Sequence, residues 1–397
     1  MADPFTKIIL RTGKEQSLLR FHPWVFSGAI KKIDGAVKEG DCVKVYDGKG
    51  QFLAMGHYQP GTIAVRVFSF EDVTPGQAFW TAKVRRAFAY RERIGLAGSE
   101  NTSVFRLVNA EGDYFPGLVA DFYNGTLVMQ MHSVGMYLIQ DTLVNAFREV
   151  LGSDLKAVFS KSEATLPFRA DVPKSNGYLY GVGDGELEIQ ENGLRFLVDI
   201  QQGQKTGFFI DQRENRKLLK HFAKGSEVLN MFGYTGGFSV YALSGGAKRV
   251  VSVDSSGPAI TLTRRNVELN GFSHATHEAV EADAFEYLKN ASNAFDLIVL
   301  DPPAFAKHNE ALHQALKGYQ RLNAMAIDAI RPGGILFTFS CSQVVSRLHF
   351  RQAVFGAAAQ VKRKVRILHQ LAQPPDHPVD ICHPEGEYLK GLALYVE

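Results

Sequence analysis

The chain has 397 residues, of which 45% are hydrophobic and 21% charged, and its formal net charge is +3 at pH 7. This length predicts two or three domains, and the composition is that of an ordinary globular protein. The sequence has no apolar run long enough to span a membrane and no signal-peptide pattern at its start, which argues against a membrane protein. It has three cysteines and no Cys-x-x-Cys pair, which argues against a disulfide scaffold or a structural zinc site and predicts a cytoplasmic location.

The first 75 residues are predicted to be rich in β-strands. The runs 41–45 and 52–57 flank Asp47-Gly48-Lys49-Gly50, which is a hairpin turn pattern. The segment from His22 to Gly28 is rich in aromatic residues and is broken by a proline. A small barrel of this kind is as often plain architecture as a platform for nucleic acid.

Residues 78–94 are predicted to form a helix with five basic side chains and one acidic one. The basic residues are Lys83, Arg85, Arg86, Arg91 and Arg93. They indicate either a stripe that faces phosphates or an ordinary solvated helix face. Further strands are expected from 104 to 200, with Asn124-Gly125 and Asn192-Gly193 as hairpin turns. Changes of pattern near 75 and 200 predict three domains, 1–75, 76–200 and 201–397.

The most informative stretch lies between residues 225 and 239. An apolar run, Val228 to Phe232, ends in three glycines within five residues, and a helical pattern begins at Phe238. Glycine lets the backbone turn tightly and lets a ligand approach closely. A strand, a glycine loop and a helix in this order are typical of a nucleotide-type pocket at a sheet edge. The alternative is a tight turn in an ordinary α/β domain.

Asp254 ends the next apolar run, 249–253, where a carboxylate can accept hydrogen bonds from two ribose hydroxyls. The glycine spacing differs from Gly-x-Gly-x-x-Gly, and Tyr234 and Thr235 occupy the place where that pattern leaves room for a pyrophosphate. The pattern therefore favours a nucleoside ligand without phosphates, of which S-adenosylmethionine is the common one.

Strands and helices alternate after Asp254, which predicts a parallel sheet covered on both faces. The predicted elements are a helix over 258–270, a strand over 277–280, a helix ending at 289, a strand over 295–300, a helix over 308–330 and a strand over 335–339. Asp283 and Ala284, Asp301 and Cys341 each follow one of these strands. We expect them to meet at the carboxyl edge of the sheet, where open α/β sheets bind ligands.

Several motifs occur in order along the chain and carry a family resemblance. They are Gln204-Lys-Thr-Gly-Phe-Phe-Ile-Asp-Gln-Arg-Glu-Asn-Arg216, Asn230-Met-Phe-Gly-Tyr-Thr-Gly-Gly-Phe238, Asp301-Pro-Pro-Ala-Phe305, Thr338-Phe-Ser-Cys-Ser342, His377-Pro378 and Pro384-Glu-Gly-Glu-Tyr-Leu-Lys390. Together they resemble the ribosomal RNA large subunit methyltransferase I family over essentially the whole chain. Ala304 is a departure, since close relatives usually carry lysine there.

The resemblance implies an S-adenosylmethionine-dependent enzyme of the α/β class that makes 5-methylcytosine in 23S rRNA. It implies an N-terminal β-barrel PUA domain that binds RNA, a middle α/β domain and a C-terminal class I (Rossmann-like) methyltransferase domain. The expected partner is 23S ribosomal RNA, with no membrane and no metal, and a homodimer is compatible with the sequence.

The predicted cofactor site combines the glycine loop with the residues that follow the neighbouring strands. Asp254 is expected to hold the ribose, Asp283 and Ala284 the adenine edge, and the loop with Asp301 the methionine end. The full predicted set is Gln212, Phe232, Gly233, Tyr234, Thr235, Gly236, Asp254, Ser255, Asp283, Ala284 and Asp301.

Cys341 is the predicted nucleophile, and Asp301 is the second predicted catalytic residue. C5 of cytosine is a poor nucleophile until a thiolate adds to C6, which divides one difficult step into easier ones. The alternative is that Cys341 is a small buried apolar residue. Many 5-methylcytosine RNA enzymes have a second cysteine after an Asp-x-Pro motif, and its absence here implies a mechanism with one cysteine and an unidentified C5 base. Cys382, beside His383, is interpreted as structural.

Three other functions stay open on the sequence. Asp-Pro-Pro-x-aromatic motifs also occur in methyltransferases that act on guanine or on exocyclic amines, where Cys341 would be inert. A nicotinamide dehydrogenase would share the fold class, although the glycine spacing argues against it. A non-catalytic RNA-binding protein with a relic pocket is the third.

Overall fold

The computed structural model describes residues 4–167, 170–272, 276–306 and 308–397. This part of the chain forms two compact units. The first comprises the residues up to Leu187 together with Val198–Phe208 and Pro375–Gly386, and the second comprises Glu188–Leu197, Phe209–Pro374 and Glu387–Glu397. The predicted domain edges near 75 and 200 stay predictions.

The N-terminal part of the first unit is a six-stranded sheet. Its elements are β1 (Thr6–Leu10), α1 (Gln16–Leu19), β2 (Trp24–Phe26), β3 (Ile30–Asp34), β4 (Cys42–Tyr46), β5 (Phe52–Tyr58) and β6 (Ile63–Ser69). The strand order is β2-β6-β5-β4-β1-β3. The predicted hairpin is confirmed, because β4 and β5 pair antiparallel and the Asp47 carboxylate accepts the backbone N–H groups of Lys49 and Gln51, each at 2.8 Å.

A helix and a second sheet complete most of the first unit. The elements are α2 (Gln77–Arg93), β7 (Val104–Asn109), β8 (Leu118–Tyr123), β9 (Thr126–Met131), α3 (Val134–Leu138), α4 (Gln140–Leu151), β10 (Ala157–Ser160) and β11 (Gly177–Tyr180). The sheet order is β11-β10-β9-β8-β7. Asn124 and Gly125 form the predicted β8–β9 turn with φ of 47° and 99°, which is the left-handed region that such turns require. Met55 and Phe68 pack in one core with Trp80 of α2.

The basic residues of α2 do not form one surface. Arg91 is fully buried and makes two hydrogen bonds with the Asp113 carboxylate, at 2.5 and 2.7 Å. Lys83 donates to the backbone oxygen of Phe68 at 2.9 Å, and burial lowers the pKa of Lys83 to about 7. For Arg91 both the phosphate stripe and the solvated face were wrong predictions, because an ion pair holds this side chain in the interior. Lys83 is half-buried and is held by its backbone hydrogen bond.

The second unit is built on a seven-stranded sheet. After the two-stranded pair β12 (Glu186–Glu191) and β13 (Leu194–Asp199), its elements are α5 (Arg213–Phe222), β14 (Glu227–Met231), α6 (Gly237–Ser244), β15 (Arg249–Asp254), α7 (Gly257–Leu269), β16 (His277–Glu281), α8 (Ala284–Lys289), β17 (Phe295–Leu300), α9 (Leu312–Ala329), β18 (Ile330–Ser340), α10 (Arg347–Gln360), β19 (Val365–Ala372) and β20 (Lys390–Val396). The order is β16-β15-β14-β17-β18-β20-β19.

Strands β14 to β18 run parallel, and β20 is antiparallel to both of its neighbours. The predicted alternation of strands and helices is confirmed from β14 to β18. The order reverses between β14 and β17, so the carboxyl ends of these two strands flank the crevice where open α/β sheets bind ligands.

A buried ion pair stabilises the second unit beneath its first helix. The Arg216 guanidinium, 3% exposed, donates to both oxygens of Glu191, 0% exposed, at 2.9 and 2.8 Å. The Tyr241 hydroxyl donates to the same carboxylate at 3.0 Å, and Arg216 also donates to the backbone oxygen of Phe209 at 2.9 Å. Each charge is therefore compensated without water.

We expect Glu191→Gln to lower the free energy of unfolding by about 3–5 kcal/mol, because it leaves the buried Arg216 charge uncompensated. Urea unfolding followed by circular dichroism measures this loss. Glu188→Gln is the matched control, since it removes a carboxylate from an exposed pair with Arg195 that solvent screens. An equal effect of the two substitutions would contradict the prediction.

Candidate active site

The glycine loop after β14 has an unusual backbone. Phe232 and Tyr234 have φ of 58° and 45°, and Gly236 has φ of 80°. The left-handed region costs a residue other than glycine roughly 1–2 kcal/mol, so the surroundings must hold these two aromatic residues in place. The backbone nitrogen of Gly233 donates to the oxygen of Val253 at 3.0 Å.

Tyr234 is fixed at three points. Its backbone N–H donates to the Asp254 carboxylate at 2.9 Å, and its backbone oxygen accepts from the Thr263 hydroxyl at 2.8 Å. Its ring meets the Phe209 ring edge-on, with centroids 5.0 Å apart. Gly236 must stay a glycine for packing as well, because a Cβ there would lie 2.8 Å from a methyl group of Thr263.

Asp254 ends β15 and is half-buried, as the sequence predicts for a ribose-binding residue. Its two oxygens accept the backbone N–H groups of Tyr234 and Ser256, each at 2.9 Å. Each carboxylate oxygen has a second lone pair, so Asp254 retains the capacity to accept from ribose hydroxyls. Ser255, between Asp254 and Ser256, is exposed.

Asp283 has a structural role that the sequence analysis did not assign. It is the N-cap of α8, and its Oδ1 accepts the backbone N–H groups of Phe285 at 2.9 Å and Glu286 at 3.0 Å. The side chain is exposed, and the neighbouring Ala284 is buried. Both follow β16, which pairs in parallel with β15, so they lie at the same sheet edge as Asp254.

Gln212 and Asp301 are 89 positions apart in sequence and in direct contact in the structure. The Gln212 amide donates to Asp301 at 3.0 Å, and its oxygen accepts from the Asn215 amide at 2.6 Å. Gln212 is 2% exposed. Asn215 is a residue that sequence reasoning missed, although it lies within the family motif 204–216.

Cys341 lies directly after β18, beside the loop that follows β17. The prediction that the strands before Asp301 and Cys341 are adjacent is confirmed, since Leu300 of β17 pairs in parallel with Thr338 of β18. The Cys341 Sγ lies 4.0 Å from the backbone oxygen of Pro302. The thiol is therefore next to the Asp301-Pro302 segment and is neither fully buried nor fully exposed.

Hydroxyl groups fix the backbone on both sides of Cys341. Ser340 donates to the Tyr319 hydroxyl at 3.0 Å, and Ser342 donates to the backbone oxygen of Ala306. Burial raises the pKa of Tyr319 to about 12, so this phenol stays protonated at neutral pH. Sequence reasoning gave no role to Tyr319, which no motif marked.

The other cysteines have different surroundings. Burial raises the pKa of the Cys42 thiol to about 11, which suppresses its thiolate. Cys382 belongs to the first unit, and its backbone nitrogen donates to Asp380 at 2.9 Å.

His22, His383 and Glu385 in the first unit are close enough to suggest a metal site. The Nδ1 of His22 accepts the backbone N–H of Trp24 at 3.3 Å, and its Nε2 lies 3.5 Å from the Glu385 carboxylate. The Nδ1 lone pair of His22 is therefore already used in a hydrogen bond. We assign no metal to this cluster, and the predicted absence of a metal stays a prediction.

Comparisons with known proteins agree with this geometry. A family described as S-adenosylmethionine-dependent methyltransferase matches residues 106–388, and a PUA-like domain matches residues 8–70. The ribosomal RNA large subunit methyltransferase I of Alteromonas mediterranea is 37% identical over 98% of both chains. That of an Enterobacter species is 38% identical over 98% of this chain and 99% of its own.

The chain belongs to the ribosomal RNA large subunit methyltransferase I family. Among solved structures, a methyltransferase in complex with SAH superimposes with a TM-score of 0.85, at 26% identity over 98% of this chain and 99% of its own. A SAM-dependent methyltransferase from Streptococcus mutans gives a TM-score of 0.83 at 25% identity, over 98% of this chain and 99% of its own. The predicted fold class and the predicted cofactor are confirmed: this member of the family has a PUA-like N-terminal domain and depends on S-adenosylmethionine.

The predicted residues fit that cofactor. The half-buried carboxylate of Asp254 suits ribose hydroxyls, and the glycine loop lies at the reversal of strand order. The individual residue roles stay predictions. Within the described ranges no helix is long and apolar enough to cross a membrane.

We expect Gly236→Ala to weaken S-adenosylmethionine binding by about tenfold or more, since each 1.4 kcal/mol of strain in the loop costs a factor of ten. Calorimetry measures the affinity. Gly271→Ala is the control, because Gly271 also has a positive φ, 73°, but a Cβ there would meet nothing within 4 Å. If both substitutions left the affinity unchanged, the loop would not be part of the cofactor site.

Proposed function

We propose that this protein transfers a methyl group from S-adenosylmethionine to C5 of a cytosine in 23S rRNA, through a covalent bond between Cys341 and C6. The observation that supports this proposal most directly is the position of Cys341. The thiol follows β18, contacts the Asp301-Pro302 segment after β17 and lies at the same sheet edge as the glycine loop after β14. The names of the relatives support ribosomal RNA as the substrate.

S-adenosylmethionine supplies an electrophilic methyl group on a sulfonium. The Cys341 thiolate would form a bond to C6 of the cytosine, and the electrons of the C5=C6 bond would move to C5. C5 would then take the methyl group, and the electron pair of the broken bond between sulfonium and methyl would stay on the donor sulfur. A base then removes the C5 proton, the S–C6 bond breaks, and its electron pair returns to sulfur. A base in a stacked helix cannot meet both thiolate and methyl donor, so the cytosine must leave its stack.

Asp254 and Ser255 are proposed to hold the ribose, and Asp283 with Ala284 the adenine edge. The segment 232–236 and Asp301, which Gln212 orients at 3.0 Å, are proposed to line the methionine end. Asp301 would act beside both the donor and the target base. These assignments rest on the shared position of the residues after successive parallel strands.

Residues 1–75 are proposed to position the RNA, and residues 201–397 are proposed to carry out the chemistry. The PUA-like match over residues 8–70 supports this division. Two aromatic side chains in that range are exposed, Phe21 at 58% and Phe26 at 41%, and exposed aromatic rings are stacking platforms for unpaired bases. The cytoplasmic location and a homodimer stay predictions.

The covalent mechanism predicts a trapped adduct. An RNA with 5-fluorocytosine at the target has no C5 proton to lose, so elimination is blocked after methyl transfer and the adduct persists on a denaturing gel. Cys341→Ala should abolish both the adduct and methylation, which bisulfite sequencing of 23S rRNA measures. Binding of S-adenosylmethionine should survive, because the sulfur acts on the base.

Cys382→Ala and Cys42→Ala are the matched controls for this prediction and should keep both adduct and methylation. Methylation of cytosine C5 by the Cys341→Ala protein would contradict the covalent mechanism. Methylation of guanine or of an exocyclic amine, with no effect of Cys341→Ala, would favour the non-covalent alternative. Lack of any methyl transfer to RNA would favour a non-catalytic RNA-binding protein.

We expect Phe21→Ala and Phe26→Ala each to weaken RNA binding by about 1–3 kcal/mol, because loss of one base–aromatic stack costs that much. Filter binding measures the RNA affinity, and calorimetry should show unchanged S-adenosylmethionine affinity. Phe355→Ala is the control, since it removes a 72% exposed aromatic ring from the second unit. An equal loss for Phe355→Ala would contradict the division of roles.

A further inference from the structure

Strand β20 places a buried lysine beside the end of β18. In the antiparallel pairing Lys390 lies opposite Ser340, the residue before Cys341. Its Nζ donates to the backbone oxygen of Ser342, the residue after Cys341. Lys390 is 4% exposed, so its ammonium group is held against the peptide segment that carries the thiol.

Of the two anionic groups that favour the charged form of Lys390, Cys341 has the larger effect and Glu387 the smaller. Burial lowers the pKa of Lys390 to about 8, and the negative charges of Cys341 and Glu387 raise it, while Arg347 lowers it. Glu387 is already ion-paired with Arg347. A buried ammonium group without an anion is costly, which favours a thiolate at Cys341.

Among the described residues, Tyr319 and Asp301 are two further titratable groups near Cys341. Tyr319 on α9 bonds to Ser340 at 3.0 Å, and burial keeps this phenol neutral. Asp301 follows β17, and its carboxylate accepts from Gln212. Asp301 disfavours a thiolate through like-charge repulsion, so a compensating cation near Cys341 has a physical purpose.

We propose that Lys390 is a positioning residue that holds the Cys341 thiolate as an ion pair, an inference that rests on the proposed function of Cys341. The thiol proton leaves to solvent, and Lys390 acts on sulfur through its positive charge and not as a proton donor. When the S–C6 bond forms, sulfur loses its negative charge. When that bond breaks, the electron pair returns to sulfur beside the ammonium group.

Lys390 is expected to have its largest effect on the second step, in which the S–C6 bond breaks. A thiol of lower pKa leaves faster, although it attacks somewhat less strongly. In a reaction with one cysteine, no second thiol assists release of the product. Lys390 would then make Cys341 a better leaving group and also increase its thiolate fraction at neutral pH.

The test is the pH dependence of alkylation of Cys341 by iodoacetamide, with each cysteine followed by mass spectrometry and with no RNA or cofactor present. In the wild-type protein the pH midpoint of Cys341 alkylation should lie below the ordinary thiol pKa of about 8.5. Lys390→Met, which keeps the length and removes the charge, should raise the midpoint by about one unit or more. Lys390→Arg should restore it, and Cys382 should be unaffected in all three proteins.

The activity of Lys390→Met carries a second signature. At a pH below both midpoints, a rise of one unit in thiol pKa lowers the thiolate fraction about tenfold, and the loss should shrink as the pH rises. A loss of activity caused by damage to the fold would not shrink as the pH rises. Unchanged calorimetric affinity for S-adenosylmethionine confirms that the variant is folded.

A wild-type midpoint at or above 8.5 would overturn the proposal without any variant, and so would equal midpoints in wild type and Lys390→Met. Because alkylation needs no RNA, this failure is distinct from that of the proposed function. If the wild-type protein formed no adduct with 5-fluorocytosine RNA, the proposed role of Cys341 in the reaction would be wrong, but the measured alkylation midpoint of Cys341 would still stand.

Discussion

The parallel register of β14 with its two neighbours decides where the glycine loop, Asp254 and Asp301 lie. Met231 pairs with Val253 on one side and with Leu300 on the other, so the chain leaves all three strands at the same edge. A slip by one residue would turn each side chain to the opposite face of the sheet. The buried apolar side chains of these strands prevent that slip, and the core thereby fixes the chemistry at its rim.

Apolar runs bounded by glycine, proline and aspartate made β14, β15, β17 and the second half of β18 readable from the sequence. Such runs have no other stable place than a sheet covered on both faces. Hairpin turns such as Asn124-Gly125 were readable for a similar reason, since few residues adopt a positive φ. The positive φ of Phe232 and Tyr234 was not readable, because it arises from tertiary contacts that oppose the local preference of both residues.

Contacts between residues that are distant in sequence could not be predicted from local patterns. Nothing local to Lys390 indicates that an antiparallel strand will place it opposite Ser340, 50 positions earlier. Arg91 looked like an exposed helix residue, and only the fold brings Asp113 to it. The contact between Gln212 and Asp301 likewise joins distant segments, although both residues lie in motifs that marked them as important. Sequence patterns select candidate residues, whereas their long-range partners are visible only in the fold.

The sheet also sets the distance across which the proposed reaction must work. The glycine loop follows β14 and Cys341 follows β18, with β17 between them. Two strand spacings amount to about 9–10 Å. A flat base held in that gap has room for thiolate on one face and methyl donor on the other, at the roughly 3–3.5 Å that bond formation requires. The reversal of strand order that creates the crevice therefore suits addition to opposite faces of one cytosine.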